Sequence, residues 1–299
     1  MRRRDFIALS GCAVLVPRAA RSVAADGLSR TRLTEDITQI ERRTGGRLGV
    51  AVYDAQTGRQ LGHRTRERFP MCSTFKWLLA AQVLSRVDGA QEDLARVVSY
   101  GPSDLLEYAP VTRSHVGEGG MTVAALAEAA VEYSDNTAAN LLLATVGGPG
   151  ALTRYLRSIG DHLTRLDRWE PALNTAEPGD SRDTTTPEAM VADLRQIVLG
   201  SGLTASARDR LLSWLQANTT GNEKLRAGMP SDWRIGDKTG SGGYGATNDV
   251  AIAQPAGRAP VLVAAYLAET VADTAERNAA LANVGRAVGD WIAAGAPRR

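Results

Sequence analysis

A helix that is apolar on every side limits what this chain can fold into. From Phe75 to Val87 apolar residues occupy nearly every side of a 3.6-residue period, so other elements must cover the helix all round. Pro70 stops any upstream helix, which places Ser73 in the first turn, where backbone N–H groups lack partners. Lys76 follows on the same face. The pair suits an activated nucleophile, but on these residues alone a capping serine and a surface lysine are the stronger interpretation.

The order of predicted elements indicates one domain with two lobes. Helical periodicity predicts helices over 29–44 and 274–294. Apolar runs predict strands over 48–53, 60–63, 233–239, 249–253 and 261–267. We therefore expect an α/β (α+β) fold, in which an antiparallel sheet built from both chain termini is flanked by helices and an all-helical lobe is inserted. The single domain is placed at 26–299, with the α/β lobe at 26–66 and 216–299, the helical lobe at 67–215, and a site in the cleft between them.

The first 25 residues resemble an export signal that is cleaved from the mature protein. Arg2-Arg3-Arg4 precede a short apolar stretch, and small residues close the segment at Val23-Ala24-Ala25. This arrangement is typical of twin-arginine signals and predicts a periplasmic protein, with a chance basic N-terminus as the alternative. The stretch before Cys12 also resembles a lipoprotein box, but it is very short, so lipid anchoring at Cys12 is a minor alternative.

Charge and cysteine content exclude several classes of protein. The leader holds five arginines and one aspartate of a chain with net charge +2, so the mature part has a net charge of about −2. Nucleic-acid binding would need a strongly basic surface. Without the leader Cys72 is the only cysteine, so it has no disulfide partner and is expected to be a buried thiol. No apolar run is long enough to span a membrane, and the three histidines show no ligand spacing, so we expect no metal and no cofactor.

Two stretches between the termini carry polar groups. A helical pattern over 121–132 breaks at Ser134-Asp135-Asn136, where a second helix begins. These residues are ordinary N-caps, but in a cleft Ser134 can pass a proton to a leaving nitrogen. Residues 165–183 have no apolar period, and such long irregular connections are usually functional or disordered. Within them Glu170 can act as a base toward water, although a solvated surface loop fits the composition equally well.

A third stretch runs from a predicted strand into glycines, from Lys238 through Gly240 to Gly245. The glycines match the spacing of a dinucleotide-binding loop, but the chain continues into another strand and not into a helix, so that interpretation fails. A sheet-edge strand that a ligand approaches closely fits better. Lys238 and Thr239 would then offer a charge and a hydroxyl to an anionic ligand.

The three stretches, Ser-x-x-Lys, Ser-Asp-Asn and Lys-Thr-Gly, occur in this order along the chain. With an Arg-Trp-Glu-Pro-x-Leu-Asn loop between the second and the third, the chain resembles the class A serine β-lactamases of the penicillin-recognising serine hydrolase superfamily. The resemblance extends from about residue 30 to the terminal helix. It implies a monomeric hydrolase of penicillins and cephalosporins that gives antibiotic resistance.

The resemblance also implies a role for each matching residue. Ser73 is the nucleophile, Lys76 or Glu170 the acylation base, Ser134 the donor to the lactam nitrogen, and Glu170 the base for deacylation. Backbone N–H groups of Ser73 and Ser241 form the oxyanion hole. The residues expected to bind substrate or the hydrolytic water are Tyr108, Asn136, Asn174, Lys224, Lys238, Thr239, Gly240 and Ser241. The family further has an ion pair at the neck of the glutamate loop, here Arg168 with Asp183, and a cis bond before Pro171.

Two departures from the family pattern bear on substrates. Many members place an arginine beside the carboxylate site, but Thr247 holds one of its two positions and Lys224 the other. Lysine gives a point charge where arginine gives a planar fork. Members with a disulfide that hydrolyse carbapenems pair the equivalent of Cys72 with a cysteine where this chain has Gly242. We therefore expect weak carbapenem turnover at best.

Three other classes share parts of this pattern. A penicillin-binding peptidase has the three motifs but lacks a loop glutamate such as Glu170. A β-lactam-sensing receptor domain stays acylated and needs a membrane tether. A non-catalytic binding protein of the same fold would not need the complete set of Ser73, Lys76, Ser134, Glu170 and Lys238.

Overall fold

A computed structural model of the chain describes residues 32–295. The predicted export signal, with Cys12, and the predicted start of the first helix lie outside these residues. The first helix, α1, covers 32–44 of the described part. The other helices are α2 (Phe75–Asp88), α3 (Val123–Glu132), α4 (Asn136–Val146), α5 (Pro149–Ser158), α6 (Pro187–Leu194), α7 (Ala205–Gln216), α8 (Leu225–Gly228) and α9 (Thr274–Gly295).

Five strands form an antiparallel sheet in the order β2-β1-β9-β8-β7. They are β1 (Arg47–Asp54), β2 (Arg59–His63), β7 (Arg234–Ser241), β8 (Thr247–Gln254) and β9 (Val261–Ala268). Short pairs link loops elsewhere: β3 (Phe69–Pro70) with β6 (Thr184–Thr185), and β4 (Val97–Val98) with β5 (Met121–Thr122). The first strand pairs with the last, Arg47 opposite Ala268, so the sheet is built from both ends of the chain as predicted.

Strand β9 explains why both faces of the sheet are covered. All eight of its residues are buried, and successive side chains point to opposite faces. Val263 and Leu267 join a core cluster with α1 and α9, whereas Leu262 and Tyr266 join the larger cluster that contains α2. A strand that is apolar throughout therefore lies in the centre of the sheet, with a helical layer on each face.

Helix α2 lies inside the larger core, as its composition predicts. Its residues from Phe75 to Leu84 are all buried, including Lys76. Helices α3, α4, α5 and α7 surround it. The predicted fold class, with a sheet from both termini and inserted helices, is confirmed. None of the helices in the range 32–295 combines the length and apolarity needed to cross a membrane.

Candidate active site

The predicted nucleophile lies in a short 3-10 turn, Cys72–Thr74, that leads from β3 into α2. Sheet residues hold this turn, because the Asn248 side-chain amide donates to the carbonyls of Pro70 and Met71 at 2.8 and 3.1 Å. The Ser73 hydroxyl donates to Glu170 Oε1 at 3.3 Å. Ser73 thus faces an acceptor on a distant loop and is not a cap, since the structure gives α2 no side-chain cap.

Lys76 is fully buried, which excludes the surface-lysine interpretation. Its Nζ lies 3.1 Å from Glu170 Oε1 and donates to Asn136 Oδ1 at 2.6 Å and to the Ser134 carbonyl at 2.7 Å. Burial lowers the pKa of Lys76, against the opposing pull of the Glu170 carboxylate. A lysine of this kind can exchange a proton with its neighbours.

Ser134 lies between two lysines. Its backbone has φ of 59°, a left-handed conformation that is uncommon for a residue with a side chain, in the turn between α3 and α4. Its hydroxyl accepts from Lys238 Nζ at 3.0 Å and lies 3.4 Å from Lys76 Nζ. Burial and the charge of Lys76 lower the pKa of Lys238 to about 7. Lys76, Lys238 and Lys224 are the only lysines of the chain, and all three are buried.

The loop that carries Glu170 is fixed at both ends and is not a solvated surface loop. Asn174 Nδ2 donates to Glu170 Oε2 at 2.5 Å, and the Glu170–Pro171 bond is cis. At the neck Arg168 Nε donates to Asp183 Oδ2 at 2.5 Å, the ion pair expected from the family resemblance. The Glu170 side chain is completely buried.

Residue Asn140 was missed by the sequence reasoning. Its side chain binds the backbone of Glu170 in both directions, from Nδ2 to the carbonyl and from the N–H to Oδ1, each at 3.0 Å. A polar residue within the apolar pattern of α4 was the available signal. Asn140 therefore fixes the backbone of Glu170 and, with it, the position of the Glu170 carboxylate.

The cleft beside Ser73 has a volume of about 330 Å³. Its walls include nine predicted residues, namely Ser73, Tyr108, Ser134, Asn136, Asn174, Lys224, Thr239, Gly240 and Ser241, together with Thr220. The other three, Lys76, Glu170 and Lys238, lie behind them and bind Ser73 or Ser134. All twelve predicted site residues are thus brought together.

Glycines on β7 and just after it leave room for the protein's own backbone, whereas the sequence suggested room for a ligand. A Cβ at Gly240 would lie 2.7 Å from the Met71 carbonyl and 3.2 Å from Ser73 N. A Cβ at Gly242 would lie 2.6 Å from the Asn174 carbonyl. These glycines let β7 approach the nucleophile turn and the glutamate loop, which puts Ser241 on the cleft wall.

The α8 segment, residues 220–228, lines one wall of the cleft through Thr220 and Lys224. Lys224 Nζ donates to the Thr220 carbonyl at 3.3 Å, and the Thr220 and Thr239 hydroxyls are 2.5 Å apart. Thr247, one of the two positions where the family resemblance suggested an arginine, accepts from Arg277 Nε at 3.0 Å. A guanidinium from α9 therefore lies beside this position, although the sequence reasoning assigned it no role.

The thiol of Cys72 is free and buried, and burial raises its pKa to about 12. A Cβ at Gly242 would lie 2.7 Å from its Sγ, so these two positions are adjacent, as the resemblance implies. Over residues 32–295 no three His, Cys, Asp or Glu side chains are placed to hold a metal ion.

Comparisons with known proteins agree with this geometry. The sequence model of the β-lactamase enzyme family matches residues 32–292. Beta-lactamase AST-1 of Nocardia asteroides is 46% identical over 97% of this chain and 96% of its own length. Beta-lactamase L2 of Stenotrophomonas maltophilia is 48% identical over 95% of this chain and 97% of its own length.

Among solved structures, the reconstructed class A β-lactamase of the last common ancestor of Gram-negative bacteria is 60% identical with a TM-score of 0.85, over 86% of this chain and 99% of its own. The putative class A β-lactamase PenP of Rhodopseudomonas palustris is 53% identical with a TM-score of 0.85, over 86% of this chain and 98% of its own. The chain therefore belongs to the β-lactamase enzyme family, as a class A member and a hydrolase of β-lactams.

Proposed function

We propose that this β-lactamase opens the ring amide of penicillins and cephalosporins through an acyl-enzyme on Ser73, and so gives resistance to these antibiotics. The observation that carries the proposal is the contact of Ser73 Oγ with Glu170 Oε1 at 3.3 Å, within a buried cluster that includes Lys76. A nucleophile in contact with a base can lose its proton, and the same base stays beside the ester afterwards.

In acylation Ser73 attacks the lactam carbonyl. Ser73 Oγ and Lys76 Nζ both contact Glu170 Oε1, so either Lys76 or Glu170 can take the proton. The N–H groups of Ser73 and Ser241 hold the oxyanion, and one such donor contributes about 3 kcal/mol to the transition state. The close approach of β7 at Gly240 supports this arrangement.

Collapse of the tetrahedral intermediate breaks the C–N bond and needs a proton on the lactam nitrogen. Ser134 supplies it, because its hydroxyl lines the cleft and is bonded to Lys238. Lys238, with a pKa of about 7, can replace that proton. The strained backbone of Ser134 is consistent with a functional position.

Deacylation needs a water activated against the ester. Glu170 takes a proton from this water, and Asn174 orients it. Asn174 Nδ2 is bonded to Glu170 Oε2, whereas its buried Oδ1 has no partner among the described residues and can accept from the water. This pair distinguishes a hydrolase from a protein that remains acylated.

The substrate carboxylate binds the wall formed by β7 and the α8 segment. Thr239 and Ser241 give hydroxyls there, while Lys238 and Lys224 give positive charge. Asn136 orders the substrate amide, and Tyr108, half exposed at the entrance, contacts its apolar part. With Gly242 in place of a cysteine, carbapenem turnover is expected to be weak.

The placement of this activity in the cell and the division of the chain are also proposals. Residues 1–25 would direct twin-arginine export to the periplasm and be cleaved, leaving a monomeric domain of 26–299. Its lobes would be divided at 26–66 with 216–299, and 67–215.

The test measures the intact mass of the protein and the formation of hydrolysed substrate in the same experiment. With a simple penicillin, Glu170→Ala should gain the mass of one whole substrate and stop turning over, because ring opening expels no fragment. Ser73→Ala should show neither adduct nor product. If Glu170→Ala keeps cycling at the parent rate, another group deacylates and the role given to this loop is wrong.

A further inference from the structure

Thr220 lines the catalytic cleft, and no sequence motif predicted it. Its hydroxyl meets that of Thr239, which lies on β7 and lines the same wall, with 2.5 Å between the two oxygens. In a contact between two hydroxyls only one of them donates, and the other partners of each group decide which one it is. The direction of this hydrogen bond determines whether Thr239 has a proton to offer to a ligand in the cleft.

The side-chain amide of Asn218, which lies behind the cleft wall, has a fixed orientation. Its Oδ1 accepts the backbone N–H of Thr220 at 3.1 Å. Its Nδ2 donates to Oδ2 of Asp237 at 2.9 Å, and Asp237 is completely buried and also paired with Arg226. A backbone N–H donates and never accepts, so the amide atom that faces Thr220 must be the oxygen.

The hydroxyl of Thr220 donates to this same amide oxygen. The distance from Thr220 Oγ1 to Asn218 Oδ1 is 2.8 Å, and the bond uses the only proton of that hydroxyl. Thr220 is then the acceptor in its contact with Thr239, so Thr239 is the donor. The hydrogen bonds therefore run in one direction, from the cleft wall to the buried Asp237. In the free enzyme Thr239 points its proton at Thr220 and offers only lone pairs to the cleft.

This direction opposes the binding of a carboxylate, because a carboxylate only accepts hydrogen bonds. For Thr239 to donate to a carboxylate, its proton must leave the contact with Thr220. Thr220 must then turn its own proton from Asn218 to Thr239, since two hydroxyl oxygens 2.5 Å apart repel each other without a proton between them. A carboxylate that binds Thr239 thus breaks the hydrogen bond between Thr220 and Asn218.

We propose that Thr220 is a positioning residue that acts through Thr239 and competes with the substrate carboxylate for the Thr239 proton. It therefore lowers the affinity of the cleft for substrates that carry a carboxylate. The proposal rests on the proposed function, in which Thr239 binds the carboxylate of penicillins and cephalosporins. The net contribution of one hydrogen bond changes an equilibrium constant by about threefold to tenfold, and this is the size of the effect that we expect.

Thr220→Val is the test variant, because valine keeps the branched shape and removes the hydroxyl. Thr239 then loses its acceptor and turns its proton to the carboxylate. We expect KM for benzylpenicillin to fall about threefold to tenfold, with kcat within about twofold of the parent, because the new bond is present in the bound substrate and in the transition state alike. The methyl ester should show a smaller fall, since hydrogen bonds to an uncharged acceptor are weaker.

Two further variants are the controls. Thr219→Val makes the same change at the neighbouring position, where the hydroxyl donates to the Glu132 carbonyl at 2.9 Å, and it should leave both kinetic constants unchanged. Thr220→Ser keeps the hydroxyl and should keep the KM of the parent. If Thr220→Val does not fold, Thr220→Ala takes its place with the same expected result.

Two results would overturn the proposal while the parent enzyme hydrolyses benzylpenicillin. One is an unchanged or raised KM in Thr220→Val, and a raised KM would show that Thr220 itself donates to the substrate. The other is an equal fall in KM for the acid and its methyl ester, because the carboxylate would then not be the competing group. If the parent does not hydrolyse benzylpenicillin at all, the proposed function fails, and this proposal fails with it.

Discussion

The catalytic cleft and the contact between helix α6 and the turn that follows α5 bury charged groups in different ways. In the cleft Lys76 and Glu170 are both fully buried and lie 3.1 Å apart, so each is the other's counter-ion. Beside α6, Asp161 and Asp193 are two buried acids that contact each other, with Arg157 as the nearby positive charge. The first pair combines opposite charges, whereas the second combines two acids, and burial together with the charge of Asp161 raises the pKa of Asp193. In this protein, a buried charged residue therefore indicates a catalytic role only when the residues that contact it are considered as well.

Breaking the balanced pair should give the largest effect. Lys76→Met keeps the apolar stem of the side chain and leaves Glu170 without its ammonium partner. Since proton transfer of this kind contributes about 10²- to 10⁴-fold, we expect kcat/KM for a chromogenic cephalosporin to fall by about 10³-fold. Arg66→Met, at the exposed ion pair with Glu188, is the control and should hydrolyse at the parent rate. A Lys76→Met enzyme within tenfold of the parent would show that this lysine is not a proton carrier.

The ion pair between Arg226 on α8 and Asp237 on β7 offers a test of stability. Asp237 is completely buried, and Arg226 and Asn218 are its side-chain donors in the described residues. Arg226→Ala removes the cation that is hydrogen-bonded to this buried acid and should lower the free energy of unfolding in urea by about 3 kcal/mol. Arg96→Ala, at the more exposed pair with Glu92, should change it by less than about 1 kcal/mol. Equal losses in the two variants would contradict this account.

The pair of buried acids, Asp161 and Asp193, should respond to substitution in the opposite way to the two ion pairs. The pKa of Asp193 is raised in the folded state, so this state binds more protons than the unfolded chain above the ordinary pKa of aspartate. Stability contributed by this group is therefore present at low pH and declines as the pH rises. Asp193→Asn removes the decline, and we expect its Tm to exceed that of the parent by at least about 2 °C at pH 8, a difference that shrinks toward pH 4. A constant difference across this range would exclude titration as the cause.

The smallest effect is expected at the rim of the cleft. Lys224 is 9% exposed and lines the cleft wall that we propose to bind the substrate carboxylate. Lys224→Ala should raise KM for an acidic penicillin about fivefold, or about 1 kcal/mol, because the ammonium lies on a cleft wall that solvent can reach. The methyl ester of the same penicillin is the control and should be little affected. Equal changes for both substrates would remove Lys224 from carboxylate binding.

Most of the architecture could be predicted because its signals are local. The apolar run of β9 and the unbroken apolar surface of α2 each need burial on all sides, and both are buried. The Glu170 loop was ambiguous from its composition, which fits a solvated loop as well as a functional one. The position of this loop depends on the side chain of Asn140, which lies on α4, and on the ion pair between Arg168 and Asp183. These contacts join residues that are distant in the chain or belong to different elements.

The sequence by itself determined the fold class, the family, and the twelve residues that meet at the cleft, because three short motifs and one loop carry them. Only the tertiary structure decided which polar groups contact each other. Lys76 touches Glu170, Ser134 touches Lys238, and Asp161 meets Asp193 through contacts between residues 32 to 104 positions apart along the chain. Protonation depends on distance and burial in three dimensions, and neither quantity is encoded by local spacing.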